Sequence, residues 1–342
     1  MTCAALAESR FPVGSAAGRT PGSRTRAGAM AGRWSQPARR ESREIERRED
    51  FGPMRPRNSS RSFTPELRKG KRSAFRDVAL NSQPSTLSRF VVLDESADWL
   101  VVDKPPHLAV HPSRPGCGVT LWHGLRGLLS YEIANGGQVS LINRLDRETS
   151  GLTLIAKSAA MARTLGLEMM ARRVEKEYLA LVWGWPESSE FAVDAPLLRR
   201  GSVEPSRIHL KQAAHPGGAA ARTRFRVEQR FTGATTAGDR FALVRAFPET
   251  GRTHQIRVHL AHAGHAVVGD KLYGPDEGCY LEFIATGWTP ALAGRLLLPR
   301  HALHSAALRL PALGLAWASP LAPDLAAWMA ENFLAAREAP GL

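Results

Sequence analysis

The feature that most limits how this chain can fold is a change of texture near Arg89. Upstream, the sequence is rich in Arg, Ser, Gly and Pro and shows no sustained apolar periodicity. Such a segment cannot bury enough surface to offset the entropy of ordering it. Downstream, short apolar runs recur. Phe90 to Leu93 and Trp99 to Val102 read as two strands around a polar turn, and Leu152 to Ala156, Glu177 to Trp183, Ala221 to Phe231, Phe241 to Phe247 and Leu303 to Leu310 extend the pattern. Helices are expected at Thr120 to Leu129, at Ala159 to Arg172 behind a Ser158 cap, at Thr253 to Ala263 and at Pro323 to Leu334. Strands and helices do not alternate regularly. That order favours an α+β domain, a mixed but mainly antiparallel sheet with flanking helices, over a doubly wound fold. We therefore read residues 1 to 85 as a disordered basic tail and residues 86 to 342 as one folded domain.

Charge follows the same division. Residues 1 to 72 carry 17 basic and 7 acidic side chains, against 29 and 25 in the remainder of the 342-residue chain. A formal charge of +14 points to a polyanionic partner, because Lys and Arg displace the counterions condensed on nucleic acid. The tail reads equally as an RNA-binding arm or as a solvated extension, with Met30 and Met54 as alternative starts. Its first 40 residues hold a single acid, Glu8, as a transit peptide would. No apolar run is long enough to span a bilayer. The three cysteines, Cys3, Cys117 and Cys279, form neither a disulfide framework nor a Cys-x-x-Cys pair, so a reducing cytoplasm is expected. Phosphate-loop, dinucleotide-loop and nucleophile-elbow motifs are all missing.

Three segments carry chemistry. In Asn143-Arg144-Leu145-Asp146-Arg147-Glu148-Thr149-Ser150-Gly151, Asp146 stands between two arginines, which favour its ionised form. It could act as a nucleophile or base, or serve as a structural pair closing a loop. In Thr253-His254-Gln255-Ile256-Arg257-Val258-His259-Leu260, a helix would bury Ile256, Leu260 and Ala263 and leave His254 and Arg257 together on another face. Arg257 could then reach a carboxylate from elsewhere, or the face could simply meet solvent. A zinc site from His259, His262 and His265 is the rival reading, weakened by Gly264, which ends the helix. In Lys176-Glu177-Tyr178, the tyrosine suits stacking on an unstacked base and equally suits a core.

Taken in order, and with Val102-Asp103-Lys104-Pro105, Gly269-Asp270-Lys271-Leu272-Tyr273-Gly274 and His301-Ala302-Leu303-His304-Ser305, these segments resemble the RluA family of RNA pseudouridine synthases over about Phe90 to Leu310. The resemblance implies a cofactor-free and metal-free isomerase that detaches uracil from its ribose, rotates it and rejoins it through carbon 5. Asp146 would be the catalytic aspartate, Tyr178 the active-site tyrosine and Arg257 the partner of the aspartate. Arg144 would fill the stack vacated by a flipped nucleotide. Arg147, Arg252, His254 and Gln255 complete the expected RNA-binding set. The expected partner is structured ribosomal or transfer RNA, met by a monomer. Asn143 departs from the family, which usually has His there; an amide keeps hydrogen bonding without titration. Many relatives carry a small N-terminal RNA-binding domain that residues 1 to 85 do not resemble, so recognition is expected from the catalytic domain, the tail or both.

Overall fold

The computed structural model describes residues 90–112, 118–235 and 237–335, so the expected basic tail lies outside the described residues. In chain order the strands and helices are β1 (Val91–Glu95), β2 (Trp99–Lys104), α1 (Leu121–Leu128), α2 (Ser130–Ala134), β3 (Ser140–Leu141), β4 (Ser150–Ala156), α3 (Ala159–Met170), β5 (Glu175–Trp183), β6 (Glu190–Asp194), β7 (Leu197–Arg199), β8 (Gln212–Ala214), β9 (Arg222–Thr235), β10 (Gly238–Pro248), α4 (Gln255–His262), α5 (Gly278–Thr286), α6 (Pro290–Leu296), β11 (Leu303–Leu310), β12 (Leu315–Ala318), α7 (Pro323–Asn332) and β13 (Leu334–Ala335). The main sheet runs β1-β2-β4-β11-β5-β10-β9-β13, with β3, β6 and β12 pairing alongside and β7-β8 forming a separate ribbon. Every pairing among the described residues is antiparallel except β4 with β11. The fold is the α+β arrangement expected.

Sequence explains the layers. All seven residues of β4 are buried, so its run Leu152 to Ala156 cannot alternate in and out of solvent. Leu152 and Leu154 pack with Leu165 of α3, while Ile155 packs with Leu121 and Leu125 of α1 on the other side. The hydroxyl of Ser158 caps α3 by accepting from the backbone N–H of Met161 at 3.2 Å. Strands β9 and β10 make a long hairpin whose Phe225 and Phe241 enter the largest core cluster, together with Tyr178 and Ala180 of β5.

The parallel β4-β11 contact puts Gly151 opposite Ser305. Gly151 has φ of +107°, and a Cβ there would lie 2.3 Å from the Ser305 carbonyl oxygen. Both the conformation and the space demand glycine. We expect Gly151→Ala to cost ~3 kcal/mol or more, since backbone must move on both central strands. A urea midpoint that does not fall would contradict this reading of the junction.

Candidate active site

Strand β4 begins where the loop carrying Asp146 ends, and that loop is held from several sides. The Asn143 amide, 5% exposed, takes the place of a strand partner: its Nδ2 donates to the Leu152 carbonyl at 3.0 Å and its Oδ1 accepts from the Leu154 N–H at 2.7 Å. An amide supplies one donor and one acceptor without titrating, which is what this backbone edge uses. Lys104, at the end of β2 and fully buried, donates to the carbonyls of Pro105 (2.8 Å), Leu108 (3.0 Å) and Arg147 (3.3 Å). Burial, helped by Arg300, lowers its pKa to about 7. Glu148 accepts from Lys271 Nζ at 2.8 Å and from the His301 N–H at 3.2 Å, and the Thr149 hydroxyl lies 2.7 Å from His301 Nε2. The loop that presents Asp146 is thus tied to the segment just before β11.

Helix α4 supplies the counter-charge. Its residues Gln255 to Leu260 are all buried, so the helix is an internal strut rather than the one-sided amphipathic or solvent-facing helix expected. It also begins later than expected, at Gln255, because His254 adopts a left-handed φ of +57°. Arg257, 4% exposed, bridges two carboxylates: Nη1 donates to Asp146 Oδ2 at 2.8 Å, while Nε and Nη2 donate to Asp270 at 2.6 and 2.8 Å. Asp270, 0% exposed, also accepts from the N–H groups of Leu272 and Tyr273 at 2.9 and 3.1 Å. A bidentate Arg–carboxylate fork fixes the guanidinium plane, and the third donor then fixes Asp146.

These charges set the protonation states. Burial pushes the Asp146 pKa up, but Arg257 foremost, then His254 and His301, hold it below the ordinary carboxylate range. The arginines beside Asp146 in sequence are not its partners. Neither Arg144 nor Arg147 pairs with it among the described residues, and both are exposed; the carboxylate turns toward α4 instead. Burial is opposed and outweighed at Asp270 by Arg257, leaving it far below its usual value. Burial raises the Tyr178 hydroxyl to about 12, so it stays protonated.

His254 is held by one hydrogen bond. The Tyr273 hydroxyl accepts from the Gln212 N–H at 2.9 Å and lies 2.8 Å from His254 Nδ1. Nε2 faces Asp146, 3.9 Å from Oδ2. Burial, followed by Arg257, lowers the His254 pKa to about 4. A group that is neutral in the fold and titrates near 6.5 when unfolded contributes stability above that pH, lost as pH falls from about 6.5 to 4. We expect thermal unfolding to drop through that window, His254→Asn to flatten the drop, and the rate to show no His254 step between pH 6 and 8. A catalytic step near pH 6.5 that vanishes in the variant would contradict the assignment.

Asp146, Arg257, Tyr178, His254, Arg144 and Arg252 line one cavity of about 110 Å³, together with Lys176, Leu303, Pro248, Thr250 and Gly251. Tyr178, 8% exposed, therefore belongs to both core and cavity. Two of the residues expected to bind RNA are placed apart from the others. Arg147 lies outside this cavity, its Nε donating to the His107 carbonyl at 3.3 Å. The Gln255 amide borders the cavity but is spent on the protein. It donates to the Arg222 carbonyl and Thr223 Oγ1 at 2.9 and 3.0 Å, and accepts from Thr250 Oγ1 and the Arg252 N–H at 2.6 and 3.0 Å. His259 has both ring nitrogens engaged, with Thr223 Oγ1 at 2.9 Å and the Ala195 carbonyl at 3.0 Å, which removes the first ligand of the zinc reading. Local sequence reading missed the roles of Asp270, Tyr273, Glu148 and Lys104. The one signal available was charge set among apolar neighbours, as at Val267-Val268-Gly269-Asp270.

In this α+β domain a buried arginine orients an ionised aspartate at the wall of a cavity that Tyr178 also lines, an arrangement with the groups that acid-base or nucleophilic chemistry needs. Residues 98–262 match the family described as RNA pseudouridylate synthase. That stretch, which carries Asp146, Tyr178 and Arg257, is where the chain resembles the family. Ribosomal large subunit pseudouridine synthase D of Nitrosomonas europaea is 36% identical over 245 residues, covering 69% of this chain and 63% of the relative. Synthase C of Escherichia coli strain K12 is 39% identical over 188 residues, covering 55% of this chain and 54% of the relative. The chain thus spans somewhat over half the length of these curated relatives. Among solved structures, human RNA Pseudouridylate Synthase Domain Containing 1 aligns with a TM-score of 0.53 at 27% identity, covering 72% of this chain and 90% of that one.

Proposed function

We propose that this protein converts uridine to pseudouridine in structured RNA, with large-subunit ribosomal RNA as the first substrate to try. The observation that carries the reading is the Asp146–Arg257–Asp270 bridge at the wall of a small, tyrosine-lined cavity. The reaction is an isomerisation. The bond from the ribose carbon to uracil N1 breaks, a bond to carbon 5 forms, the carbon 5 proton leaves and N1 gains one. Nothing is oxidised or reduced, and the atoms balance without a cofactor.

Each site residue has a part. Asp146, held ionised, is an acceptor-only group available for attack or proton abstraction. Arg257 keeps it aimed, so the entropy of orienting the carboxylate is lost on folding and not in the reaction. The Tyr178 ring offers a face for the extruded base, and the neutral His254 imidazole turns Nε2 toward Asp146 as a hydrogen-bonding edge. Exposed Arg144, at the rim, can occupy the stack that the uridine leaves. Action on ribosomal RNA goes with a cytoplasmic location, and among the described residues no helix is long and apolar enough to cross a membrane.

Purified full-length protein incubated with an unmodified large-subunit ribosomal RNA transcript, followed by chemical mapping of pseudouridine, tests the proposal. Stoichiometric isomer at one or a few uridines is expected. RNA binding with no isomer on ribosomal or transfer RNA would show a binding protein instead.

A further inference from the structure

Beside the uridine cavity lies a broader groove of about 870 Å³, bounded by the end of α3, the start of β5 and the end of β10. Both are lined by Lys176, Pro248, Thr250, Gly251 and Arg252, so the groove continues from the cavity mouth. Cations dominate its wall. Arg172, Arg224, Arg252 and Arg309 face Glu175, Glu177 and Glu249. Two of those acids are already neutralised within the protein. Glu177 pairs with Arg245 and Arg309, and Glu249 with Arg224 and Arg222.

Lys176 stands at the seam of the two. Among the described residues its ammonium makes no hydrogen bond and no ion pair, although it is only partly exposed. Its Nζ would lie 4.0 Å from a Cβ on Gly251, across the cavity mouth. Burial alone lowers its pKa, as expected of an ammonium without a counter-charge. Lys176 and Tyr178 are two residues apart on β5, so both project from the same face, about 6.6 Å apart along the strand. Glu177, on the other face, meets the arginines named above. A partly desolvated cation without a partner is costly unless its partner arrives with the substrate.

We propose that Lys176 is a phosphate-binding residue, taking an RNA backbone phosphodiester directly beside the uridine whose base enters the cavity at Tyr178. The neighbouring groove then receives the strand on that side, with Arg252 and Arg172 along its path. This inference rests on reading the cavity as the uridine site. It adds which side chain anchors the flipped nucleotide, and in which direction the chain leaves.

The test uses full-length protein and a short RNA hairpin carrying the mapped uridine, with a single neutral methylphosphonate placed on its 5′ or its 3′ side. One of the two should weaken wild-type binding about tenfold, the scale of a charged hydrogen bond. Lys176→Met should be insensitive at that position. It should show KM raised about tenfold with kcat lowered less, and a slope of log affinity against log salt shallower by about 0.7. Lys176→Arg should regain most of both. A wild type indifferent to both replacements would overturn the proposal without any variant, as would Lys176→Met that keeps the full methylphosphonate effect or the full salt slope. If the wild type makes no pseudouridine on the natural RNA, the functional reading fails; if it does and one of these overturning results is found, only the phosphate site fails.

Discussion

Asp146→Asn should abolish pseudouridine formation, lowering the single-turnover rate by roughly four orders of magnitude or more, the scale of losing a nucleophile or an essential carboxylate. The fold should not notice. Arg257 keeps its two hydrogen bonds to Asp270, and the amide oxygen that replaces the carboxylate can still accept from Nη1, so no buried cation is left unpaired. Asp146 has a side chain 29% exposed, which limits the desolvation at stake. RNA affinity should stay within a few fold, because removing one carboxylate does not reduce contact with a polyanion. Rate, affinity and melting temperature measured on one preparation decide the matter. A variant turning over near the wild-type rate would remove Asp146 from the chemistry.

How far the sequence carries toward this site depends on whether a signal is local. The strands β4, β5 and β11 are legible because short, mainly apolar runs bounded by polar or turn residues favour buried strands, and α3 is legible through its Ser158 cap. Helix α6 carries a comparable mark, Thr289 capping with Pro290 in the first turn, which the periodicity-based reading passed over. Helix α5 begins behind Glu277 with no side-chain cap and offers no such start. Asp146 itself stands out as an acid in a polar loop between strands. Its partner does not: adjacent arginines look nearest along the chain, yet the effective cation comes 111 residues later. Asp270 is further removed still, because nothing in its neighbours says that a carboxylate would be wholly buried. Gln255 shows the opposite error, a polar residue in a reactive-looking motif whose four hydrogen bonds all close on the protein.

Asp270 yields the second large effect, and it differs in kind from that of Asp146. Asp270→Ala would leave the Arg257 guanidinium, 4% exposed, without the fork that holds it, and would strip the N–H groups of Leu272 and Tyr273 of their acceptor. Breaking a buried pair from one side costs about 3–5 kcal/mol, because the remaining charge stays desolvated. That is a large part of the stability of a domain this size, so the denaturation midpoint should fall steeply. Asp270→Asn should fall between, since its oxygen can still serve the turn while the charge is lost. Activity should go in both variants. Arg257, released on one side, has Asp146 as its remaining carboxylate, and the aim of that carboxylate no longer depends on a fixed guanidinium plane. The two aspartates therefore separate on a plot of rate against stability: Asp146→Asn loses rate alone, Asp270→Ala loses both, and Asp270→Asn measured where it is fully folded loses rate with little change in RNA affinity. An Asp270→Asn protein that is folded and turns over at the wild-type rate would show that Arg257 needs no anchor, and that the bridge contributes to the fold but not to the reaction.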